Sequence, residues 1–374
     1  MTIIHYNNYI KIRHYQGFKV NFMNLKENLL SVLSGENVDV APVISVTQLG
    51  IVEAMEKTGA MWPEAHKDSE KMAKLGSSLY ELAGLECARI PFCLTVEAEA
   101  MGAQVDLGGK DKPPQVLNTP FSNADDIDIP DNFLESGRIP TVLKAVEILK
   151  EKYDDLPIVV GITGPFTLTG HLLGVENLVR YLKTDIDEVE DAIENSLDAC
   201  MDYAEALSDV EVDVVCVAEP TASPELIDPL QFKSIVKPRL EDLAGFIDEK
   251  KVLHICGSTQ EIIHDMASIG YDGISVEEKV DIVKAKEDIE CGISSLKSGG
   301  KCLPNNINTP SKIIGNVSTS QTLFTGSIED VKTETKKALD DGIAILAPSC
   351  GLAPLSPIAN IKAMVEARNE YYGL

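Results

Sequence analysis

Eight short apolar runs alternate with longer amphipathic segments along this chain, and this alternation limits the possible folds more than any other feature. Such a pattern is typical of parallel strands joined by helices. Eight strand-helix units in 374 residues predict one (β/α)8 TIM barrel, in which catalytic groups lie on the loops after the strands. The predicted strands are residues 42–46, 87–92, 158–162, 212–218, 252–256, 273–276, 313–316 and 343–347.

Polar side chains lie at or just after the ends of these runs, as expected if the strands share one active face. Any one of them is more often a strand-end or loop residue than a catalyst, so the shared position is the stronger argument. The residues are Thr47, Gln48, Arg89, Cys93, Thr95, Thr163, Glu219, His254, Cys256, Glu277, Asn316 and Cys350.

Two of the runs end in residues that bind metals. In an extended strand, side chains two apart face the same way, so His254 and Cys256 would converge at the end of their strand. Cys350 ends the last run in the same manner. One His and two Cys on distant strands suit a catalytic zinc ion with one position free, since a structural site is usually closed by near pairs of Cys. Burial of all three in an apolar core is the simpler alternative, because free Cys is often buried.

A fourth ligand is suggested by Glu277, which follows the next strand. An incoming thiol would displace its oxygen, because zinc prefers the softer thiolate. An ordinary surface or capping role for Glu277 is as well supported by the sequence. Zinc holds a thiol as thiolate at neutral pH, so the site predicts thiol alkylation.

The amino-acid composition limits the kinds of partner that this chain is expected to bind. The chain carries 59 acidic and 33 basic residues, a net charge of −26, which argues against binding nucleic acid. It has no apolar stretch of about 18 residues, so we expect no membrane span, and the expected location is the cytoplasm. Its eight Cys lie mostly in apolar runs, which favours free thiols over a disulfide framework.

Residues 1–22 match no helical or strand period and are predicted to be a disordered N-terminal extension, followed by a single TIM-barrel domain over 23–374. Two segments interrupt the alternation. Residues 103–138 predict an ordered insertion or lid near the barrel mouth, and residues 291–311, which contain Cys291 and Cys302, predict a surface loop.

Several stretches carry a resemblance over nearly the whole chain after Met23. They are SVTQ at 45–48, WPEAH at 62–66, VLHICG at 252–257, SVEE at 275–278, GNV at 315–317 and LAPSCG at 346–351. On these the chain resembles the methylcobamide:coenzyme M methyltransferases of the uroporphyrinogen decarboxylase superfamily. SVTQ and SVEE look nearest to the members that act in methanogenesis from methanol.

The resemblance implies that His254, Cys256 and Cys350 bind Zn²⁺, with Glu277 as the exchangeable fourth ligand, and that these four residues are catalytic. Coenzyme M, a small thiol with a sulfonate, would replace Glu277 and accept the methyl group of a methylated corrinoid carried by a separate protein. The products would be methyl-coenzyme M and the Co(I) corrinoid.

Four further residues are predicted to face the substrate or corrinoid at the rim: Gln48, Arg89, Glu219 and Asn316. Arg89 suits an anion such as the sulfonate, although a structural salt bridge explains it equally well. Glu219 stands where the family pattern leads us to expect Asp.

Three alternatives remain. The first is the methylamine- or methylthiol-pathway isozyme, and the second is a non-catalytic docking module with structural zinc. The third is a uroporphyrinogen decarboxylase-like protein with another substrate. The decarboxylase itself is disfavoured, because the segment after Gln48 has no Arg to hold a polyanionic tetrapyrrole.

Overall fold

The computed structural model describes residues 24–298 and 311–374, with the backbone alone for 291–298. The predicted extension 1–22 and Cys302 lie outside these residues. The strands in the described part of the chain are β1 (Ala88–Ile90), β2 (Gln104–Asp106), β3 (Gln115–Asn118), β4 (Ile158–Thr163), β5 (Val214–Ala218), β6 (Lys250–His254), β7 (Gly273–Ser275), β8 (Lys312–Val317) and β9 (Ile345–Pro348).

Seven of these strands form one parallel sheet in the order β1-β4-β5-β6-β7-β8-β9, and helices separate them along the chain. Strands β4 and β5 are buried at every residue, as expected for a parallel sheet covered on both faces. The predicted α/β barrel is therefore confirmed, and seven of the eight predicted runs overlap these strands.

The eighth predicted run, 42–46, closes the barrel without forming a regular strand. The Ile44 amide donates to the Leu346 carbonyl at 3.0 Å, and the Val43 carbonyl accepts from the Glu86 amide at 2.7 Å, so the run bridges the two edges of the sheet. On the β1 side, side chains accept hydrogen bonds that backbone carbonyls would accept in a regular strand pair. The Val43 amide donates to Glu86 Oε2 at 3.1 Å, and the Ser45 amide donates to Cys87 Sγ at 3.3 Å.

The helices surround the sheet and cover its outer face. They are α1 (Leu25–Leu33), α2 (Val52–Thr58), α3 (Ser69–Gly76), α4 (Ser78–Ala83), α5 (Val96–Ala100), α6 (Ile139–Lys152), α7 (Pro165–Leu173), α8 (Val175–Thr184), α9 (Ile186–Asp209), α10 (Pro229–Gln231), α11 (Lys237–Phe246), α12 (Ile263–Ser268), α13 (Ile282–Ser298), α14 (Ile328–Asp340) and α15 (Ile358–Tyr372). Among the described residues, no helix combines the length and apolar character needed to cross a bilayer.

The two interrupting segments differ from each other. Residues 103–138 are ordered, as predicted: β2 and β3 form an antiparallel hairpin, and Pro113, Pro114 and Val116 line a cavity at the barrel mouth. The loop prediction for 291–311 is wrong at its start, because α13 continues to Ser298. The apolar spacing of Ile282, Ala285 and Ile289 is helical, and a single glycine costs a helix only about 1 kcal/mol.

Candidate metal centre and substrate cavity

The metal-binding pair predicted on one strand does converge. Strand β6 ends at His254, two residues earlier than predicted, and Cys256 lies just beyond it. Even so, His254 Nε2 is 3.3 Å from Cys256 Sγ. The imidazole is buried, and its other nitrogen, Nδ1, is 3.0 Å from the hydroxyl of Ser275 on β7. When Nδ1 donates to this hydroxyl, Nε2 presents its lone pair to the sulfur atoms.

Cys350 completes the group from the loop after β9. Its Sγ is 3.6 Å from Cys256 Sγ, and the ligand atoms of His254, Cys256 and Cys350 all lie within 4.8 Å of one another. Around a tetrahedral zinc ion with Zn–S bonds of about 2.3 Å and Zn–N bonds of about 2.0 Å, ligand atoms would be about 3.5 to 3.8 Å apart. The three residues therefore fit zinc in donor type and in spacing.

Each of the two thiols shifts the pKa of the other. The Cys256 thiol is hydrogen-bonded to Cys350, which lowers the pKa of Cys350 well below its ordinary value and raises that of Cys256. A nearby His254 lowers the pKa of Cys350 further. One sulfur of the pair is thus ready to ionise, and thiolate is the form that binds metals.

Glu277 lies beside this group without belonging to it. Burial raises the pKa of its carboxyl, which accepts a hydrogen bond from the Gly257 backbone and is repelled by Cys350. Lys279 Nζ lies 4.0 Å from its Oε2. Its carboxylate is thus near His254 and Cys350 but is not among the atoms within 4.8 Å of one another.

His254, Cys256 and Cys350 line a cavity of about 550 Å³ at the barrel mouth. Gln48 and Arg89 line it, as predicted for rim residues. The Gln48 side chain also holds the Cys350 loop, since it donates to the Leu352 carbonyl. Arg89 is buried on β1: Nε donates to the Val46 carbonyl at 3.2 Å, and Nη1 donates to the Pro91 carbonyl.

The salt-bridge explanation of Arg89 finds no support. Within 24–298 and 311–374, no carboxylate oxygen lies within 4.0 Å of its guanidinium. Arg89 is also the one Lys or Arg among the described residues that line the cavity. A buried charge of this kind favours an anionic ligand in the cavity.

The other two predicted rim residues, Glu219 and Asn316, do not line the cavity. Glu219 is fully buried, and its carboxylate accepts from the amides of Phe166 and Thr167 at the start of α7, at 3.1 and 2.5 Å. Asn316 Nδ2 donates to the Glu277 and Val280 carbonyls, both at 3.3 Å, and so shapes the loop that carries Glu277. These contacts give both residues a supporting position behind the cavity wall.

The sequence interpretation gave no role to Ser275, the partner of the His254 imidazole. A usable signal was present, because parallel pairing of the predicted strands at 252–256 and 273–276 places Ser275 beside His254, the register that is observed. Serine at a position facing a ligand His is a candidate for orienting its ring.

Comparison with known proteins agrees with this arrangement. The uroporphyrinogen decarboxylase (URO-D) family model matches residues 24–371. The chain belongs to this family. It is 43% identical to the methylcobamide:CoM methyltransferase MtaA of Methanosarcina barkeri, over 93% of this chain and 98% of that protein. It is 37% identical to the methylcobamide:CoM methyltransferase MtbA of Methanosarcina mazei, over 92% and 98% of the two chains.

A solved structure described as a methyltransferase from Methanosarcina mazei superposes with a TM-score of 0.86 at 42% identity. The match covers 93% of this chain and 99% of the other. The family resemblance and the barrel fold expected from the sequence are both confirmed. The domain boundary at residue 23 stays a prediction.

Proposed function

We propose that this URO-D family protein is a zinc-dependent methyltransferase that moves a methyl group from a methylated corrinoid protein to the thiol of coenzyme M, in methanogenesis from methanol. The observation that carries the proposal is that His254, Cys256 and Cys350 converge in the lining of one cavity. Two of its relatives are named methylcobamide:CoM methyltransferases, which supports the same reaction and a transferase assignment.

His254, Cys256 and Cys350 would hold the zinc ion. When bound, zinc supplies a thiolate nucleophile at neutral pH without a general base. Three protein ligands leave a fourth position for exchange. Glu277 is proposed to occupy that position at rest, because its carboxylate lies close enough to interact with both Cys350 and His254.

The cavity residues of this chain orient the substrate. Arg89 is proposed to pair with the sulfonate of coenzyme M, since its guanidinium lines the cavity without a carboxylate partner. Gln48 keeps the Cys350 loop in place, and Ser275 keeps the His254 ring in place. The methyl donor would approach through the cavity mouth, beside the β2–β3 hairpin, with its corrinoid carried by the partner protein.

The choice of the methanol pathway rests on similarity: identity to MtaA is 43%, against 37% to MtbA. The methylamine- or methylthiol-pathway isozyme would use the same site with a different corrinoid partner. A different URO-D family substrate, in particular a polycarboxylate tetrapyrrole, is disfavoured because Arg89 is the one Lys or Arg among the described lining residues.

The reaction is tested by mixing the zinc-loaded protein with methylcobalamin and coenzyme M and following the corrinoid spectrum. Conversion of methylcobalamin to Co(I) corrinoid, with methyl-coenzyme M as product, is expected. No demethylation above a protein-free control would refute the proposed reaction. Rates with the methylated corrinoid proteins of the methanol and methylamine pathways then separate the two isozymes.

A further inference from the structure

A second sulfur group lies in the wall of the same cavity. Cys93 follows β1, is half-buried and lines the cavity together with the three metal ligands. Arg138 Nη1 donates to its Sγ at 3.1 Å, and the Thr95 hydroxyl donates to it at 3.4 Å. Arg138 Nη2 also donates to the Thr95 oxygen at 2.7 Å. The Cys93 sulfur therefore accepts two hydrogen bonds, one from the Arg138 guanidinium and one from the Thr95 hydroxyl, which Arg138 also orients.

These donors are held firmly. Arg138 is buried just before α6, and its Nε donates to Glu99 Oε2 at 2.5 Å. His66, the last residue of the WPEAH stretch, is fully buried, with its ring centroid 4.9 Å from that of Trp62. Its ring nitrogens find no nitrogen or oxygen partner among the described residues, and the polar group on which the imidazole acts is the Cys93 thiol.

The electrostatic effect on Cys93 is large. Burial alone would raise the pKa of its thiol, but Arg138 and His66 outweigh burial and lower the pKa to about 5. Burial raises the pKa of Cys87 and of Cys216 to about 12, because these thiols lie in the barrel interior. A partly exposed thiol with a lowered pKa beside a guanidinium has the environment that makes cysteine reactive.

We propose that Cys93 is a modification site that takes small organic disulfides as mixed-disulfide adducts inside the cavity. The Cys93 sulfur attacks one sulfur of the disulfide, whose S–S bond breaks as the new one forms. The other half leaves as a thiolate and takes a proton from solvent. Cys93 is oxidised and the small disulfide is reduced, so no other oxidant is needed.

Such an adduct would fill part of the cavity of about 550 Å³ that also contains His254, Cys256 and Cys350. The adduct therefore takes up part of the space open to a bound ligand, and a thiol reductant restores the free cavity. The inference depends on the cavity and the contacts of Cys93, and it does not depend on the proposed methyl transfer.

The test measures the adduct on Cys93 itself. The zinc-loaded protein is treated with the symmetric disulfide of 2-mercaptoethanesulfonate between pH 6 and pH 8, and the Cys93 peptide is quantified by mass spectrometry. For an ordinary thiol with a pKa near 8.5, the rate falls by about 75-fold from pH 8 to pH 6. For Cys93 we expect a fall of less than about twofold. The charged or titratable groups that act on this sulfur are Arg138, His66, Arg89, Glu97 and Tyr203, and Glu99 holds Arg138.

Variants separate the site from its surroundings. Cys93→Ser should lose this adduct, whereas Cys302→Ser should keep it. Thr95→Val, which keeps the charges and removes one donor, should steepen the pH dependence. No adduct at Cys93, or a rate there that falls as steeply as that of an ordinary thiol, would overturn the proposal. The pH dependence of the wild-type reaction needs no substitution, so it tests the proposal even if a variant fails to fold.

Discussion

Replacing Ser275 by alanine tests how the fold prepares the metal centre. The Ser275 hydroxyl is 3.0 Å from His254 Nδ1, and both side chains are buried, so no bulk water replaces the lost partner. Loss of such an orienting contact usually weakens metal binding by about 10- to 100-fold. This corresponds to about 1.4 to 2.8 kcal/mol of zinc binding free energy.

The assay is zinc affinity by chelator competition. A matched control is Ser78→Ala on α4, where the hydroxyl is also fully buried and donates to the Leu75 carbonyl at 2.6 Å. Both variants should lose about 1 kcal/mol of unfolding free energy, because each loses a buried hydrogen bond. Only Ser275→Ala should lose zinc affinity. A zinc affinity within about twofold of wild type for Ser275→Ala would refute the reasoning.

Three further outcomes are expected. Cys256→Ala should lose bound zinc and methyl transfer together, whereas Cys216→Ala should keep its zinc. Full zinc content in Cys256→Ala, measured by elemental analysis, would rule out Cys256 as a zinc ligand. Burial raises the pKa of Glu219 to about 7 in the folded protein, whereas the same carboxyl in the unfolded chain has a pKa of 4.5. Between pH 4.5 and pH 7 the folded protein therefore holds a proton that the unfolded chain has released, and the free energy of unfolding falls as pH rises through this range. Glu219→Gln should therefore be less stable than wild type at pH 5 in urea unfolding, because its amide nitrogen would face one of the α7 backbone amides, and this deficit should shrink by pH 8; an equal deficit at both pH values would contradict this. Arg89→Gln should raise KM for coenzyme M by 10-fold or more and leave KM for the uncharged 2-mercaptoethanol nearly unchanged, and an equal rise for both thiols would exclude a sulfonate contact.

The sequence was enough to predict that His254, Cys256 and Cys350 converge. His254 and Cys256 lie at the end of one predicted strand and Cys350 follows another, and the carboxyl ends of parallel strands meet at one face of a barrel. The prediction did not depend on exact strand ends, which explains why it survived the early end of β6 at His254. The same logic placed Gln48 and Arg89 at the cavity.

Strand-end position could not give the direction of each side chain. Glu219 follows β5 and Asn316 lies near the end of β8, yet Glu219 turns toward the α7 amides and Asn316 toward the Glu277 loop. Each satisfies buried backbone groups that become visible only when the helices and loops are in place. The donors around Cys93 were hidden for a related reason, since Arg138 and His66 reach it from segments with no strand-end signal.

X-ray absorption at the zinc edge, recorded with and without coenzyme M, tests the central claim most directly. The account predicts two sulfur ligands, from Cys256 and Cys350, in the zinc-loaded protein, with the other ligands being nitrogen or oxygen. Added coenzyme M should raise the count to three sulfurs, as the thiol takes the place proposed for Glu277. A spectrum that does not change with coenzyme M would identify a closed structural site and contradict the account.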